Sequence, residues 1–403
     1  MMTSDQNKLL TQVGAGTPMG EVLRRYWWPV GISDHLKDRP TFIRVLGEDL
    51  VLFRDRSGTP GVLEAHCSHR GVNLCFGTVQ DHGLRCRYHG WVYDIDGNVV
   101  EIPGESDTTL QQSVKHRAYP AQDLGGLIFT YMGPQPAPLL PRFHFLVADG
   151  EHFGAISGVL NNNWLQGVEN GMDPFHATFL HGDVWSAAAK EAVKTWFEET
   201  EWGVVYKTIR PGRKTGEYNY REHHCIMPGV SVGGDRAVSS GLDRVEAHGF
   251  TATSARWSVP IDDNHSLHLR SHFIPADLDT SGRPMTRESS AGSRKAPYEI
   301  QPYREYLEQG YENPTLGYTM PRAIGQEDVL MLDSMGPVVP RENENLGAGD
   351  EGINMLRQIY LDSIESVKRG EDPKGTIRDE AKNRMIVVES DYGWISEQQF
   401  KAL

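Results

Sequence analysis

The chain has 403 residues, 38% of them hydrophobic, and a formal charge of −14 at pH 7. This charge argues against a nucleic-acid-binding protein, because affinity for phosphates depends on clustered Lys and Arg. The apolar runs fall well short of the roughly 18 residues that span a bilayer, which predicts no membrane anchor. Only four cysteines are present, which favours reduced thiols in the cytoplasm over a disulfide scaffold.

The predicted elements begin with a helical segment over residues 1–26, which we expect to pack on the second domain. Thr17 and Pro18 are typical of a helix start. Residues 27–133 change to short runs rich in Val, Ile, Leu and Phe, such as "FIRVLGEDLVLFRD" and "GGLIFTYMG". This stretch predicts an all-β domain.

Four prolines between Gly133 and Pro141 predict a linker, assigned to residues 134–141. Residues 142–403 combine helical patterns, such as "DEGINMLRQIYLDSIESVKRG", with strand-like runs such as "SLHLRSHFI". The Gly-, Ser- and Arg-rich stretch Asp277–Pro297 predicts a mobile loop or lid. Strands with flanking helices indicate an α+β second domain.

Two short Cys-His pairs lie in the first domain, with sixteen residues between them: Cys67-x-His69 and Cys86-x2-His89. A hairpin-length connection can bring two such loops to one site. Structural zinc sites usually pair Cys with Cys and His with His at short spacing. The alternation found here is more typical of a [2Fe-2S] cluster in which each loop gives a thiolate to one iron and an imidazole to the other.

The other two cysteines, Cys75 and Cys225, have no matching partner and are interpreted as small buried apolar residues. His223 and His224 should point to opposite faces of a strand, which argues against joint metal ligation. The only locally basic stretch, Arg210–Lys214, is interpreted as a solvated turn.

A second constellation lies in "ENGMDPFHATFLH", which carries Asp173, His176 and His181. Asp173 and His176 are three apart and would be neighbours on one helical face. His176 and His181 are separated by about 140° on a regular helix, so both reach one ion only if the helix is loosened, which the nearby Pro174 favours.

A non-haem Fe(II) oxygenase needs two His and one carboxylate, leaving positions open for O2 and substrate. The stretch "GQEDVLMLDSMG" offers Glu327, Asp328 and Asp333. Spacing alone does not choose among them, and each would ordinarily lie on a solvated helix face.

Taken together, "CSHRG", "CRYHGW", "NNNWLQGVENGMDPFHATFLH" and "QEDVLMLDSMGP" resemble the oxygenase α subunits of Rieske non-haem iron oxygenases. The opening "LLTQVGAGTPMGEVLRRYWWPVG" is similar to the phthalate 4,5-dioxygenase branch. The resemblance implies a β-sandwich Rieske domain and a helix-flanked antiparallel-sheet (helix-grip) catalytic domain. It also implies a [2Fe-2S] cluster on Cys67, His69, Cys86 and His89, and a catalytic iron on His176, His181 and Asp328.

In this family the residue equivalent to Asp173 bridges a cluster histidine of one subunit to an iron-ligating histidine of the next, here His89 to His176. The resemblance therefore implies an electron relay between subunits of a ring-shaped homo-oligomer, a trimer or a hexamer. It also implies a separate flavin or iron-sulfur reductase that supplies electrons from NAD(P)H. No G-x-G-x-x-G fingerprint follows a strand in this chain, which agrees with a separate reductase.

The phthalate-like branch suggests an aromatic acid as substrate. Five arginines are possible carboxylate partners by charge, although most are expected at the surface: Arg210, Arg221, Arg244, Arg256 and Arg270. Ring hydroxylation, O-demethylation and N-dealkylation all occur in the branch. Two other classes stay open from the residues alone: a Rieske electron carrier, which needs only the first domain, and a zinc-stabilised binding module.

Overall fold

A computed structural model describes residues 2–181, 191–212, 214–233, 253–276, 324–388 and 392–402. Arg244 and the predicted loop Asp277–Pro297 lie outside the described residues. In these parts of the chain, no helix is both long enough and apolar enough to cross a membrane.

The first unit consists of three small antiparallel sheets. Their orders are β2-β3-β4-β9, β5-β6-β7-β8 and β1-β11-β10. The strands are β1 Trp27–Ile32, β2 Thr41–Val45, β3 Glu48–Arg54, β4 Pro60–Glu64, β5 Thr78–Gln80, β6 Gly83–Arg85, β7 Val92–Tyr93, β8 Val99–Glu101, β9 Ala118–Tyr119, β10 Ala121–Leu124 and β11 Leu127–Tyr131.

The buried side chains of these strands belong to two separate hydrophobic cores. A smaller core around Phe53 and Tyr93 lies beneath the two Cys-His loops. β1 and β11 instead belong to the main core, where the rings of Phe129 and Trp257 lie 5.8 Å apart. The sheet β1-β11-β10 thus joins the first unit to the second, and the limits 27–133 stay a prediction.

The second unit is built on one eight-stranded antiparallel sheet. Its order is β12-β18-β17-β16-β15-β14-β13, and β19 pairs with β15. The strands are β12 Gly150–Leu160, β13 Lys194–Glu199, β14 Gly203–Pro211, β15 Glu217–Ile226, β16 Val230–Gly233, β17 Thr253–Pro260, β18 Ser266–Pro275 and β19 Tyr392–Ser396.

The described helices flank these sheets, which confirms the predicted α+β class with an all-β first unit. Their bounds are α1 Ser4–Thr11, α2 Pro18–Leu23, α3 Thr109–Ser113, α4 His144–Val147, α5 Trp164–Met172, α6 His176–Leu180, α7 Ile324–Ser334, α8 Glu351–Lys368 and α9 Glu397–Ala402. Thr17 caps α2 by accepting from the Gly20 amide, as its sequence predicts.

A buried ion network fixes α5 against the rest of the unit. The carboxylate of Glu169 on α5 accepts from Arg341 at 2.7 Å and from Arg357 on α8 at 2.7 Å. Burial raises the pKa of Glu169, but the two guanidinium groups outweigh it and hold the pKa below its usual value. Removal of either arginine would leave the charge of the buried Glu169 carboxylate poorly compensated. The network therefore fixes the position of α5.

The N-terminal helices lie against the second unit. Asn7 on α1 donates to the carbonyl of Val339 at 2.8 Å and accepts from Arg341 at 3.1 Å. Asn163, which caps α5, donates to the carbonyl of Thr11 at 2.9 Å. The segment therefore supports the start of α5, whose other end leads towards the second constellation.

Candidate active site and metal centres

The two Cys-His loops are a matched pair of tight turns. Cys67–Gly71 follows β4, and Cys86–Gly90 connects β6 to β7. In each loop the glycine amide donates to the cysteine carbonyl, at 2.8 Å in the first and 3.0 Å in the second. Gly71 and Gly90 have φ of 74° and 78°, a conformation that L side chains rarely adopt. Both loops therefore share one backbone turn, with the cysteine at the first position and the glycine at the fifth.

The loops face one another across two different sheets. The hairpin-length connection between them contains the β5–β6 hairpin. The rings of His69 and His89 lie 4.5 Å apart, and His69 stacks on Trp91 at 4.9 Å. Cys67 and Cys86 are buried, whereas His69 is exposed and His89 half-buried.

The chemistry of this donor set fits a metal cluster. Burial raises the pKa of the Cys86 thiol, and the neighbouring Cys67 raises it further. Desolvation, together with His69 and Arg70, lowers the pKa of His89, which favours the neutral imidazole that ligates metals. A cationic metal would compensate the charge of two thiolates buried side by side.

Tyr93 contacts one of these thiols. Its hydroxyl lies 3.0 Å from Cys67 Sγ within the smaller core. When Cys67 is a thiolate, the tyrosine must be the donor, and a hydrogen bond to a ligating sulfur stabilises the more negative, reduced state of a cluster.

The Tyr93→Phe variant is therefore expected to lower the reduction potential of the cluster by about 50 mV, the one-electron equivalent of a hydrogen bond worth about 1 kcal/mol. Protein-film voltammetry measures this shift. Tyr88→Phe is the matched control, since the Tyr88 side chain is 57% exposed and its ring packs on His89. An unchanged potential in Tyr93→Phe would contradict the assignment.

The other Cys and His residues behave largely as expected. Cys225 is buried, but Cys75 is only partly buried, so its interpretation as a buried residue is wrong in degree. It packs at the margin of the smaller core. On β15 His223 is buried and His224 is not, because successive side chains alternate between the faces of the sheet.

The predicted helix of the second constellation is broken at Asp173. α5 ends at Met172, Asp173 has an extended backbone, and α6 begins at His176. The Asp173 carboxylate accepts from the amides of Phe175 at 2.7 Å and His176 at 3.3 Å, which satisfies the first turn of α6. The expectation that Asp173 and His176 share a helical face is wrong, because the chain turns between them.

The two histidines stand at opposite ends of α6, which His176 begins and His181 caps. The rings of His176 and His181 lie 5.3 Å apart and nearly perpendicular. His176, His181 and Asp328 form a group whose potential ligand atoms all lie within 4.8 Å of one another. Asp328 Oδ1 is 2.9 Å from His181 Nε2 and 3.6 Å from His176 Nε2.

The three candidate carboxylates on α7 have different surroundings. Burial raises the pKa of Asp328, but the hydrogen bond with His181 and nearby positive charges lower it to about 2. Asp333 faces Asn162, which donates to it at 2.6 Å. Glu327 Oε2 lies 2.7 Å from His181 Nδ1, on the other side of the imidazole from Asp328. The geometry therefore favours Asp328 where spacing left the choice open.

One face of the large sheet lies next to this group. Cross-strand register places Arg256 opposite Ser231 and Arg270, and His268 opposite Ser258, so these side chains share a face. Helix α5 covers that face at Gly167, where an added Cβ would lie 2.7 Å from His268 Nε2. Glycine is required there because the helix backbone approaches the sheet so closely.

The arginines on this sheet are mostly buried, which corrects the expectation that most lie at the surface. Arg210, Arg221 and Arg256 are 3%, 6% and 9% exposed, and Arg270 is half-buried. Arg210 belongs to β14 and donates to the carbonyl of Pro174 at 2.8 Å, so the Arg210–Lys214 stretch does not begin as a solvated turn. Period-2 alternation turns these side chains inwards, which a charge count does not reveal.

A separate cavity of about 540 Å³ opens on the outer side of α5, α6 and α7. Asp173 and His176 line it together with apolar side chains that include Phe179, Met335 and Leu346. Phe179 is 76% exposed and Met335 47%. The cavity therefore shares His176 with the converging group, and its apolar rim is solvent-exposed.

These sites define a class of protein, an oxidoreductase that combines a one-electron cluster with a non-haem iron centre. A family model described as "Rieske [2Fe-2S] domain" matches residues 26–118. The 5,5'-dehydrodivanillate O-demethylase oxygenase subunit of Sphingobium sp. is 34% identical over 96% of this chain and 86% of its own length. The chain belongs to the Rieske non-haem iron oxygenases and is an oxygenase α subunit.

Two further likenesses agree with this membership. The phthalate 4,5-dioxygenase oxygenase subunit of Pseudomonas putida is 30% identical over 98% of this chain and 94% of its own length. The terminal oxygenase of carbazole 1,9a-dioxygenase from Novosphingobium sp. KA1 has the same fold, with a TM-score of 0.62 at 21% identity over 93% of this chain and all of that one. The predicted enzyme class and the two cofactors, a [2Fe-2S] cluster and mononuclear iron, are confirmed.

Sequence reasoning had found both constellations but had missed two features of the second. It treated Glu327 only as a possible ligand, and it did not foresee the buried arginines. Neither feature carries a local signal, since each depends on strands and helices that are distant in sequence.

Proposed function

We propose that this chain is the terminal oxygenase of a multicomponent system that oxidises an anionic aromatic substrate with O2 and electrons from a separate reductase. The chemistry supplied by its metal groups is one-electron transfer and reductive activation of O2. The single observation that carries the proposal is that the potential ligand atoms of His176, His181 and Asp328 converge beside the Asp173 carboxylate. In this assignment Cys67, His69, Cys86 and His89 hold the cluster.

The residues of the mononuclear site fit the role of a facial ligand set. Asp328 is ionised at neutral pH and can bind a cation without first losing a proton. The two imidazoles and one carboxylate approach from α6 and α7, which leaves the side towards the polar sheet face for substrate and O2.

Asp173 is proposed as the relay that connects this site to the cluster of another subunit. Burial raises the pKa of Asp173, but contacts with His176 outweigh it and keep the pKa below its usual value, so the group is a carboxylate. Its Oδ2 lies 3.5 Å from His176 Nδ1, and its side chain is 28% exposed towards the outer cavity. A carboxylate in this position can bridge two imidazoles.

The surfaces at the two centres support an interface between copies of the chain. The outer cavity combines exposed apolar side chains with Asp173, Glu344 and Asp350. The cluster loops expose Tyr88 together with Arg70. Apolar centres with opposite charges are typical of protein interfaces. A head-to-tail contact of this kind closes into a ring, for which we propose a homotrimer or a hexamer made from two trimers.

The substrate class follows from the buried positive charge. Arg256 donates to the Gly167 carbonyl at 3.3 Å, and among the described residues it makes no ion pair. Its side chain is 9% exposed, so it places a buried positive charge on the sheet face beside the iron site. A carboxylate or phenolate on the substrate would compensate this charge. Dehydrodivanillate and phthalate, the substrates named for two relatives, are carboxylates.

The Arg256→Gln variant tests this assignment. We expect kcat/KM for an aromatic carboxylate to fall about 10- to 100-fold, as for the loss of one charge-assisted hydrogen bond, while neutral aromatic analogues are unaffected. Lys207→Gln is the matched control, because Lys207 lies on the same sheet but pairs with Glu198 on the outer face.

The measurement is oxygen uptake with a surrogate reductase, against aromatic acids, their methyl ethers and neutral analogues. Product analysis separates ring dihydroxylation from O-demethylation and N-dealkylation. Equal losses in Arg256→Gln and Lys207→Gln, or preferential turnover of the neutral compounds, would rule out the anionic substrate class.

A further inference from the structure

The imidazole of His181 lies between two carboxylates of the same helix. Its Nε2 is 2.9 Å from Asp328 Oδ1, and its Nδ1 is 2.7 Å from Glu327 Oε2. The side chains of His181 and Glu327 are only 2% and 5% exposed. Adjacent residues of α7 therefore contact opposite edges of one buried ring.

A histidine can ligate a metal through only one of its nitrogens at a time, and the other nitrogen then carries a proton. An ionised carboxylate can only accept hydrogen bonds, so Glu327 requires the proton of His181 to reside on Nδ1. The lone pair of Nε2 is then directed towards Asp328 and His176. Glu327 thus selects the tautomer that the metal needs.

The two histidines of the site differ in this respect. Asp173 is 3.5 Å from His176 Nδ1, and that nitrogen has no hydrogen-bond partner within the described residues. His181 is therefore the histidine whose ring is already held in place. Glu327 itself is not a member of the group of converging ligand atoms.

We infer that Glu327 is a positioning residue for the mononuclear metal centre: it accepts the Nδ1 proton of His181, fixes the tautomer and orientation of the ring, and does not ligate the metal. This inference rests on the proposed assignment of His181 and Asp328 as ligands. Helix α7 would then supply both the ligand Asp328 and the residue that orients His181, Glu327.

The test is the affinity of the full chain for Co(II), with the mononuclear site emptied by a chelator under anaerobic conditions. Equilibrium dialysis with elemental mass spectrometry counts cobalt separately from cluster iron. Glu327→Leu is expected to weaken Co(II) binding about 10- to 100-fold. Glu327→Gln keeps an acceptor oxygen at the same reach, and its affinity should stay within about threefold of the parent value.

The matched control is Asp333→Asn, which changes a buried carboxylate on the same helix that bonds Asn162 instead of a histidine. Its Co(II) affinity should equal that of the parent chain. The cluster absorption spectrum and the unfolding midpoint verify that each variant is folded. Should Glu327→Leu fail to fold, Glu327→Asp, shorter by one methylene, withdraws the acceptor and should show the same loss.

Two results would overturn the inference: parent-like affinity in Glu327→Leu or Glu327→Asp, or a loss in Glu327→Gln as large as in Glu327→Leu. An incorrect ligand assignment at the metal centre would give a different result. If Asp328→Ala bound Co(II) as well as the parent chain, the ligand assignment would be wrong, and the role of Glu327 with it.

Discussion

The Asp328→Ala variant is expected to hold no iron at the mononuclear site and to lose oxygen-dependent turnover by at least about 1,000-fold, with an unchanged cluster spectrum. Within the part of the chain that the structure describes, Asp328 supplies the only carboxylate oxygen among the converging ligand atoms. Its removal leaves two neutral imidazoles, which hold Fe(II) weakly because no charge compensates the cation. Elemental analysis, oxygen uptake and electron paramagnetic resonance of the dithionite-reduced protein measure the three properties.

Asp333→Ala is the control for this prediction. Asp333 lies on the same helix and is similarly buried, but it accepts from Asn162. Burial raises its pKa, which is the opposite of what a metal-ligating carboxylate needs. Asp333→Ala should therefore lose some stability and keep its mononuclear iron. Iron lost from Asp333→Ala and retained in Asp328→Ala would reverse the assignment.

The anaerobically purified parent chain provides the reference for both variants. A colourless protein that contains zinc and gives no resonance signal after reduction would contradict the confirmed cofactor class as well as the proposed ligands. If the parent chain gives an intact cluster signal and contains normal mononuclear iron, each loss of metal or activity in a variant can be attributed to the substituted side chain.

The two proposed cluster loops could be recognised in the sequence because the geometry of their turns is local. Each needs a cysteine, a histidine two or three residues on, and a glycine with positive φ at the fifth position, as in Cys67–Gly71 and Cys86–Gly90. These few residues determine the shape of the turn. How the two loops meet across different sheets is set by long-range strand pairing, which the spacing of sixteen residues does not encode.

The mononuclear site was less predictable because it depends on tertiary packing. The five-residue spacing of the histidines predicts a loosened helix near Pro174, whereas the structure breaks the helix before His176 and ends α6 at His181, so that both rings can converge. The choice of Asp328 over its neighbours depends on which side of α7 faces His181, more than 140 residues away in sequence. The inward orientation of Arg256 likewise follows from strand register alone.

Asp173→Asn is expected to keep both metal centres and yet turn over about 10- to 100-fold more slowly. Asparagine retains an oxygen that can accept from the Phe175 amide, so the start of α6 should persist. It lacks the negative charge that a bridge between two imidazoles needs, and its NH2 group cannot accept from either. Metal content and the cluster spectrum are the controls. The rate at which the mononuclear iron is reoxidised and re-reduced in single turnovers measures electron transfer through the relay. Normal turnover in this variant would contradict the relay.

The relay between subunits can be tested directly by mixing two inactive chains. Cys86→Ser removes a proposed cluster ligand, and Asp328→Ala removes a proposed iron ligand, so each variant alone should be inactive. In co-expressed rings assembled at random, half of the subunits keep their iron, and half of those lie beside a neighbour with an intact cluster. If electrons cross between subunits, activity should return to about one quarter of the parent value per subunit. If the cluster served the iron of its own chain, no mixed ring would contain a working pair, and activity would stay at the level of the separate variants. The recovery of activity thus decides whether Asp173, at the wall of the outer cavity, receives electrons from another copy of the chain.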